Sequence, residues 1–352
     1  MRFCQRWQIR PRTRTFAAMK RTALRVHVLA LRDCTAFVPI GIVDMLRKAA
    51  MLPGARRAVE TALIAPGGSL TVAGAAGIPI RCAARLADAG DADLVVVPAV
   101  DPDVVDHVAL NRDVVPWLRE RYARGADVAS VCTGAFLLGE AGLLDGRAAT
   151  THWAFQDLFA RRYPRARLLP QAILVDQGRV LTSGGATSFL NLALHLVERL
   201  FGVDVARAAS RMFLVDINKA PQSAYAMFSS QKTHDDPDIL RAQELIEHRL
   251  KRPPGVEQIA RAVAMSPRTF ARRFRRATGN SPLEYTQRVK IEAAKRALEA
   301  GQRVSVAATS VGYSDAASFR RLFARVTGLS PADYRARYGP AYAPSTVAFG
   351  RR

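Results

Sequence analysis

One cysteine in this sequence occupies the position of a reactive nucleophile. Cys132 lies in the run Ser130–Gly134, after a β-rich segment and before a helical one. This is the small-x-nucleophile-x-Gly pattern of a nucleophile elbow, in which a helix N-terminus lowers the thiol pKa. His152 follows 20 residues later. The pair predicts cysteine hydrolase or amidase chemistry if His152 can reach the thiol as a base, and a structural histidine if it cannot.

Arginines mark a second kind of chemistry, towards the C-terminal end. Arg268, Arg272 and Arg275 are spaced so that they share one face of a helix. Arginine can donate two hydrogen bonds to guanine O6 and N7, or it can hold a phosphate. The predicted DNA-binding side chains are Arg268, Arg272, Arg275, Arg276, Arg320 and Arg321.

Both arginine clusters lie on the second helix of a predicted helix-turn-helix unit, at 256–282 and at 304–331. In the first unit, Ser266 before Pro267 predicts a capped helix start. In the second, Gly312 suits the left-handed backbone of a tight turn.

The two units are an internal repeat. A Phe-x-x-x-Phe pair begins at Phe270 and recurs 49 residues later at Phe319, and the endings at 277–285 and 326–334 match. A single unit could be a helical hairpin with a solvated basic face. Two copies favour insertion of both second helices into the major groove of DNA.

The charge distribution agrees with a polyanionic partner for the C-terminal part. The chain carries a formal charge of +22, and residues 238–352 hold 22 basic and 9 acidic side chains. The first 21 residues hold 7 basic side chains and no acidic one, so the middle of the chain is nearly neutral. Charge alone does not separate nucleic acid from an anionic membrane. No apolar run is long enough to predict a transmembrane helix.

The first two thirds of the chain alternate short apolar runs with helical stretches. Strands are predicted at 24–31, 59–65, 93–97 and 127–131, helices at 40–50, 114–124, 134–141 and 186–201, and a hairpin at 173–182. Continuous apolar strands alternating with helices predict an α/β sandwich with a mainly parallel, flavodoxin-like sheet. The C-terminal part predicts helices only, at 238–250, 256–264, 267–278, 282–300, 304–311 and 316–327.

These patterns predict five segments. They are a basic segment at 1–21, an α/β domain at 22–216, a linker at 217–237, a DNA-binding domain at 238–338 and a tail at 339–352. The basic segment is a disordered tail, an arm that touches DNA, or sequence upstream of a true start at Met19. Four scattered cysteines without a zinc-finger pattern predict a reduced, cytoplasmic protein with no metal and no cofactor.

The repeat resembles a known family. Residues 238–338 are similar to the DNA-binding domain of the AraC/XylS regulators, whose signature fits the stretch from Val289 to Tyr334. This resemblance implies recognition helices in successive major-groove segments of promoter DNA, homodimers and a contact with RNA polymerase. It also places alanines beside the base-facing arginines, at Ala271, Ala316 and Ala317. The first unit is therefore expected to carry more of the base readout and the second more phosphate contact.

Residues 24–216 resemble the DJ-1/PfpI branch of the class I glutamine-amidotransferase-like superfamily. Active members place a histidine after the cysteine or a glutamate ahead of a Val-x-Pro segment, whereas this sequence has Thr133 and, by an ungapped alignment, Thr35. These departures favour a pocket for a small-molecule effector, such as an amine or amino acid, over catalysis. The predicted pocket residues are Gly67, Gly68, Cys132, Thr133, His152, Trp153, Ser183 and Gly184.

The leading hypothesis is thus a ligand-responsive transcription regulator, in the activator style of its family. The alternative is a cysteine-dependent amidase, hydrolase or glyoxalase-like enzyme fused to a DNA-binding domain. Nonspecific architectural DNA binding is a third possibility, disfavoured because a nearly neutral α/β domain adds nothing to phosphate contact.

Overall fold

The computed structural model describes residues 23–340, apart from 101–102, 186, 217–220, 227, 229–230 and 233. The basic segment, Cys4 and nearly all of the predicted tail lie outside the described residues, as do parts of the predicted linker. The chain divides into two units between Gln222 and Ser223, and each unit has hydrophobic cores of its own.

A sheet with helices on both faces forms the first unit. Its strands are β1 (Ala23–Leu29), β2 (Ala58–Ala65), β3 (Thr71–Ala73), β4 (Pro79–Arg81), β5 (Ala84–Arg85), β6 (Leu94–Val97), β7 (Asp127–Val131), β8 (Ala148–Ala149), β9 (Arg167–Leu168), β10 (Leu174–Asp176) and β11 (Val180–Ser183). The main sheet has the order β10-β11-β7-β6-β1-β2-β5 and is parallel except for the β10–β11 hairpin. The predicted α/β class, the mainly parallel sheet and the hairpin are confirmed.

The helices of this unit cover the sheet in two layers. They are α1 (Phe37–Ala50), α2 (Val104–Leu110), α3 (Val114–Ala123), α4 (Ala135–Glu140), α5 (Gln156–Arg162), α6 (Ser188–Phe201) and α7 (Val203–Met212). Residues of α1, α6 and α7 pack into one core, and residues of α2 to α5 into the other. Every residue of β6 and β7 is buried because both faces are covered.

The strand register sets two loop residues side by side. Val131, the last residue of β7, pairs with Ser183, the last residue of β11. Cys132 and Gly184 therefore leave the sheet next to each other, at the carboxyl edge where open α/β sheets place their ligand sites. The sheet order alone thus brings together two segments that are far apart in sequence.

The second unit is helical. Its helices are α8 (Pro237–His248), α9 (Val256–Ala262), α10 (Pro267–Thr278), α11 (Pro282–Glu299), α12 (Val304–Ser310), α13 (Ala316–Thr327) and α14 (Pro331–Tyr338). They pack around two cores, one holding Phe270 and Phe274 and the other Phe319 and Phe323. Helix α11 belongs to both cores, since Tyr285 lies in the first and Leu298 in the second.

The two halves of this unit repeat each other in atomic detail. Helices α10 and α13 both end at a glycine in the left-handed region, Gly279 (φ 72°) and Gly328 (φ 75°). The threonine before each glycine donates a 2.8 Å hydrogen bond to the carbonyl four residues back. The next helix then begins with a serine cap in both halves. Similar local sequences have therefore given the same chain geometry twice.

Within the described part of the chain, no helix combines the length and the apolar character needed to cross a bilayer.

Candidate functional sites

Cys132 stands on a sharp turn between β7 and α4. Its φ is +57°, a left-handed conformation that costs a residue with a side chain about 1–3 kcal/mol. The turn has the form of the predicted nucleophile elbow. Its backbone carbonyl accepts a 2.9 Å hydrogen bond from Thr151 Oγ1, which ties the elbow to the segment that carries His152.

The thiol of Cys132 is not activated. Its side chain is buried, and this burial raises the thiol pKa to about 11, although hydrogen bonds from the backbone and side chain of Thr133 act in the opposite direction. The expectation of a lowered pKa is therefore wrong, because desolvation outweighs the helix terminus. Burial also raises the pKa of Cys34, to about 12, and that of Cys82, to about 11.

Thr133 replaces the expected histidine and supports the loop. Its hydroxyl donates a 2.8 Å hydrogen bond to Val100 O and accepts one of 2.9 Å from Val100 N. With the side chain 1% exposed, both capacities of the hydroxyl are used inside the protein. Thr133 thus joins the loop after β6 to the elbow and places a hydroxyl, rather than an imidazole, directly after the cysteine.

His152 lies near the end of β11. Its Nδ1 accepts a 3.1 Å hydrogen bond from Ala154 N, so the neutral ring carries its proton on Nε2. Burial lowers its pKa, which keeps the ring neutral at pH 7. A Cβ on Gly185 would stand 3.0 Å from His152 Cδ2, so the glycine allows the imidazole to approach. Trp153 and Phe155 flank the ring, with centroids 5.1 and 5.6 Å away.

Ser183 and Gly184 lie at the end of β11, beside the elbow. Ser183 is fully buried, and its hydroxyl donates a 3.2 Å hydrogen bond to Ser130 O on the neighbouring strand. Gly184 faces the side chain of Gln222, whose Oε1 would be 2.5 Å from a Cβ at this position. The sequence analysis missed Gln222 because its surroundings have the composition of a linker. No local pattern marks it.

Gly67 and Gly68 are not part of this cluster. They follow β2, which is separated from β7 by β6 and β1, a distance of about 14 Å at ordinary strand spacing. A Cβ on Gly67, whose φ is +77°, would collide with the guanidinium of Arg32. Gly68 O accepts a hydrogen bond from Arg85 Nη1. The structure thus brings Cys132, Thr133, His152, Trp153, Ser183 and Gly184 to one edge region and sets the two glycines apart.

The predicted DNA-binding arginines all lie on exposed surface. Arg268, Arg272, Arg275 and Arg276 are on α10, whose opposite face buries Phe270 and Phe274. Ser266 Oγ accepts a hydrogen bond from Thr269 N, which confirms the predicted cap of this helix. Among the described residues, no hydrogen bond or ion pair holds Arg268 or Arg272. Both guanidinium groups are therefore available to a partner.

Helix α13 presents fewer available cations. Arg320 is exposed, whereas Arg321 donates a 2.8 Å hydrogen bond to Ser318 Oγ and lies 4.0 Å from Asp315. The turn before α13 uses Gly312 at φ +81°, as predicted. The equivalent turn before α10 uses Ala264 at φ +53°, a strained residue that the sequence did not reveal.

Comparison with known proteins finds a match for each of the two parts of the chain. The model of the DJ-1/PfpI family matches residues 33–199, and a helix-turn-helix domain model of the AraC type matches residues 259–337. The chain thus combines a DJ-1/PfpI domain with an AraC-type helix-turn-helix domain.

Two curated relatives differ in kind. The transcriptional regulator GlxA of Rhizobium meliloti is 28% identical over 258 residues, which cover 72% of this chain and 78% of GlxA. The isonitrile hydratase of Pseudomonas putida is 35% identical over 140 residues, which cover 39% of this chain and 58% of the hydratase. This chain spans about half the length of several curated relatives that it matches. Relatives of the α/β domain thus include an enzyme as well as regulators.

A solved structure of an AraC family transcriptional regulator from Pseudomonas putida is 20% identical to this chain, with a TM-score of 0.45. The match covers 54% of this chain and 99% of the chain in that structure.

Proposed function

We propose that this protein is a small-molecule-responsive transcription regulator that reads successive major-groove segments of promoter DNA with α10 and α13. The observation that carries the proposal is the repeated scaffold, in which two helices bury phenylalanine pairs and turn arginines to solvent. Arginines without an internal partner keep their donors for guanine or phosphate. The α/β domain binds the effector and forms the homodimer, and the bound regulator contacts RNA polymerase as an activator.

The test of this function is sequence-specific DNA binding by the full chain. Electrophoretic mobility shifts on the protein's own promoter region, with random DNA as competitor, should give a specificity ratio of at least about 10³. Arg272→Ala should lower that ratio. Arg261→Ala is the matched control, because Arg261 is exposed on α9 and lies 3.9 Å from Glu257. A ratio near one for the wild type would instead indicate nonspecific architectural binding.

Support for the effector site comes from the edge region around Cys132. Neutral groups line it: a protonated thiol, a neutral imidazole and backbone carbonyls. Such groups can bind an amine or amino acid through hydrogen bonds without reacting with it. A thermal-shift screen of amines and amino acids against the full chain tests this assignment, since a ligand of the folded state raises the unfolding temperature.

Enzyme activity at Cys132 is the second candidate function. The left-handed backbone of the elbow favours it, because such strain is often kept at reactive residues. The raised thiol pKa and the hydroxyl of Thr133 in place of a base oppose it. Cys132→Ala separates the two: a hydratase, amidase or glyoxalase-type turnover that disappears in this variant supports the enzyme. An unchanged response of DNA binding to effector supports the sensor.

A further inference from the structure

The side chain of Gln222 fills a polar recess in the α/β unit. Gln222 is 4% exposed, and its backbone N–H donates to Gln171 O at 3.2 Å. Its side-chain nitrogen lies within hydrogen-bond distance of three oxygens: Thr150 Oγ1 at 2.8 Å, Thr151 O at 3.0 Å and Ala172 O at 3.1 Å. A residue at the end of the first unit is therefore held as firmly as a core side chain.

The fit between this carboxamide and the recess is incomplete. An amide nitrogen has two hydrogens, so it can satisfy at most two of the three acceptors with full geometry. The other end of the amide, Gln222 Oε1, is buried and has no hydrogen-bond partner among the residues that the structure describes. A buried acceptor without a donor is costly. Ala172 O also accepts a 2.8 Å hydrogen bond from Thr150 Oγ1, so each oxygen of the recess has a donor. The unserved group is Gln222 Oε1, for which the recess provides no donor.

A primary ammonium group removes this mismatch and matches the three oxygens. It has three hydrogens for the three oxygens and no acceptor that could be left unpaired. The recess also adjoins the effector region, because Thr151 binds Cys132 O and precedes His152, and Gly184 faces Gln222. We propose that this recess is the ammonium subsite of the effector and that Gln222 is an internal occupant which a primary-ammonium ligand displaces. This inference rests on the proposed effector-responsive function.

Displacement of the Gln222 side chain can affect the helical unit directly, because the residues that follow Gln222 in the chain are bonded to two of its helices. Ser223, the next residue, donates a 2.9 Å hydrogen bond from its hydroxyl to Thr327 O, at the end of α13. Three residues further on, Ala226 O accepts a 2.6 Å hydrogen bond from Lys295 Nζ of α11. When the Gln222 side chain leaves the recess, the segment that holds these two helices loses its anchor on the sensor side. The effector thereby changes the restraint on the second recognition helix.

The experiment is a titration of the full chain with propylammonium chloride by calorimetry. Gln222→Ala, which empties the recess, should bind propylammonium about tenfold more tightly than the wild type, because the ligand no longer competes with an internal group. Propyltrimethylammonium has the same charge and no N–H donor, so it should show no such gain. Adding Thr150→Val to Gln222→Ala should remove most of the gain by deleting one acceptor.

Equal affinity of wild type and Gln222→Ala for propylammonium would overturn the subsite, as would an equal gain for the trimethyl compound. If Gln222→Ala does not fold, Gln222→Met keeps the length of the side chain without its donors and takes its place. DNA binding is measured separately by mobility shift. Propylammonium should change the affinity of the wild type for its promoter at least threefold and leave that of Gln222→Ala unchanged. An equal response of both proteins would overturn the coupling.

The two proposals fail in different ways. A wild-type protein that shows no specific DNA binding contradicts the proposed function, while the calorimetric comparison still reports on the recess. Specific DNA binding together with a negative calorimetric comparison contradicts only the assignment of the recess.

Discussion

The two helix-turn-helix halves share a scaffold and differ in which of their arginines are held by neighbouring side chains. Both have a buried phenylalanine pair, a left-handed glycine and a serine cap at equivalent places. In the first half, Asp236 and Asp238 bind Arg273, while no residue in the described part of the chain pairs with Arg268 or Arg272. In the second, Asp315 caps α13 and lies near Arg321. Scaffold residues thus fix where each helix lies, whereas a few carboxylates determine which arginines keep their hydrogen-bond donors available for a partner.

The turns of the two halves should differ strongly in their response to substitution, and this is the largest effect that we expect. A Cβ on Gly312 would stand 1.9 Å from Lys251 O, and its backbone is left-handed. Gly312→Ala should therefore lower the free energy of unfolding of the helical unit by roughly 2–4 kcal/mol. Ala264→Gly, the equivalent change in the first half, should shift it by at most about 1 kcal/mol. Urea denaturation followed by circular dichroism measures both, and equal losses would show that the turns are not distinct.

The second largest effect should be on DNA binding, in which we expect the two recognition helices to differ. Arg272→Ala should weaken binding to the cognate promoter by about 1–3 kcal/mol and reduce discrimination against altered bases. Arg320→Ala should weaken binding to cognate DNA and to random DNA by similar factors. Alanines surround Arg320, and a phosphate contact carries no sequence information. Mobility shifts at fixed salt give both numbers. Greater loss of discrimination in Arg320→Ala would reverse the assignment of the two halves.

Helix caps provide a third and smaller difference. Ser266→Ala removes the hydroxyl that accepts from Thr269 N, and it should cost about 1 kcal/mol of unfolding free energy. Ala317 N and Ser318 N donate to different oxygens of Asp315, and Asp315→Asn retains one of the two, so the second half should lose less stability than the first. Chemical denaturation at pH 7 compares the two variants. A larger loss in Asp315→Asn would mean that the charge of Asp315, rather than its cap, holds α13.

The smallest effect should appear on acidification, and in the first half it depends on the pair of Asp236 and Arg273. Burial raises the pKa of Asp236, but hydrogen bonds from Arg273 and from the backbone of Ile239 outweigh it and bring this pKa below its ordinary value. A carboxylate with a lowered folded pKa stabilises the protein above its unfolded pKa, near 4, and this stabilisation is lost as the pH falls through the folded pKa. Between pH 5 and pH 3 the wild type should thus lose more stability than Arg273→Gln. Equal losses of stability in the two proteins would show that the Asp236–Arg273 pair does not contribute to the pH dependence.

Most of the fold could be predicted from the sequence, because it rests on local signals. The bounds of β7, α10 and α13 agree with the predicted 127–131, 267–278 and 316–327, since apolar periodicity, caps and left-handed glycines mark their ends. The sequence missed α7 and the small strand pairs β3–β4 and β8–β9. These short elements depend on packing against the rest of the unit rather than on a pattern of their own.

The candidate site was less accessible to prediction. Cys132 and His152 could be found by motif, but the raised pKa of the thiol depends on how much of the chain surrounds it. The separation of Gly67 from Cys132 follows from sheet order, which local patterns do not contain. Gln222 could not be found at all, because its three acceptors come from positions 150, 151 and 172. Burial and long-range contacts, rather than residue type, decide what these groups can do.

The shared helix α11 has a consequence for the operator. Its 18 residues span about 27 Å, and it contributes to the cores at both of its ends. It therefore fixes the distance and the relative rotation of the two recognition helices. The two half-sites that these helices contact must lie on the same face of B-DNA, close to one turn apart, which is about 34 Å. One base pair inserted between them would rotate the second half-site out of reach without changing a single base that an arginine contacts.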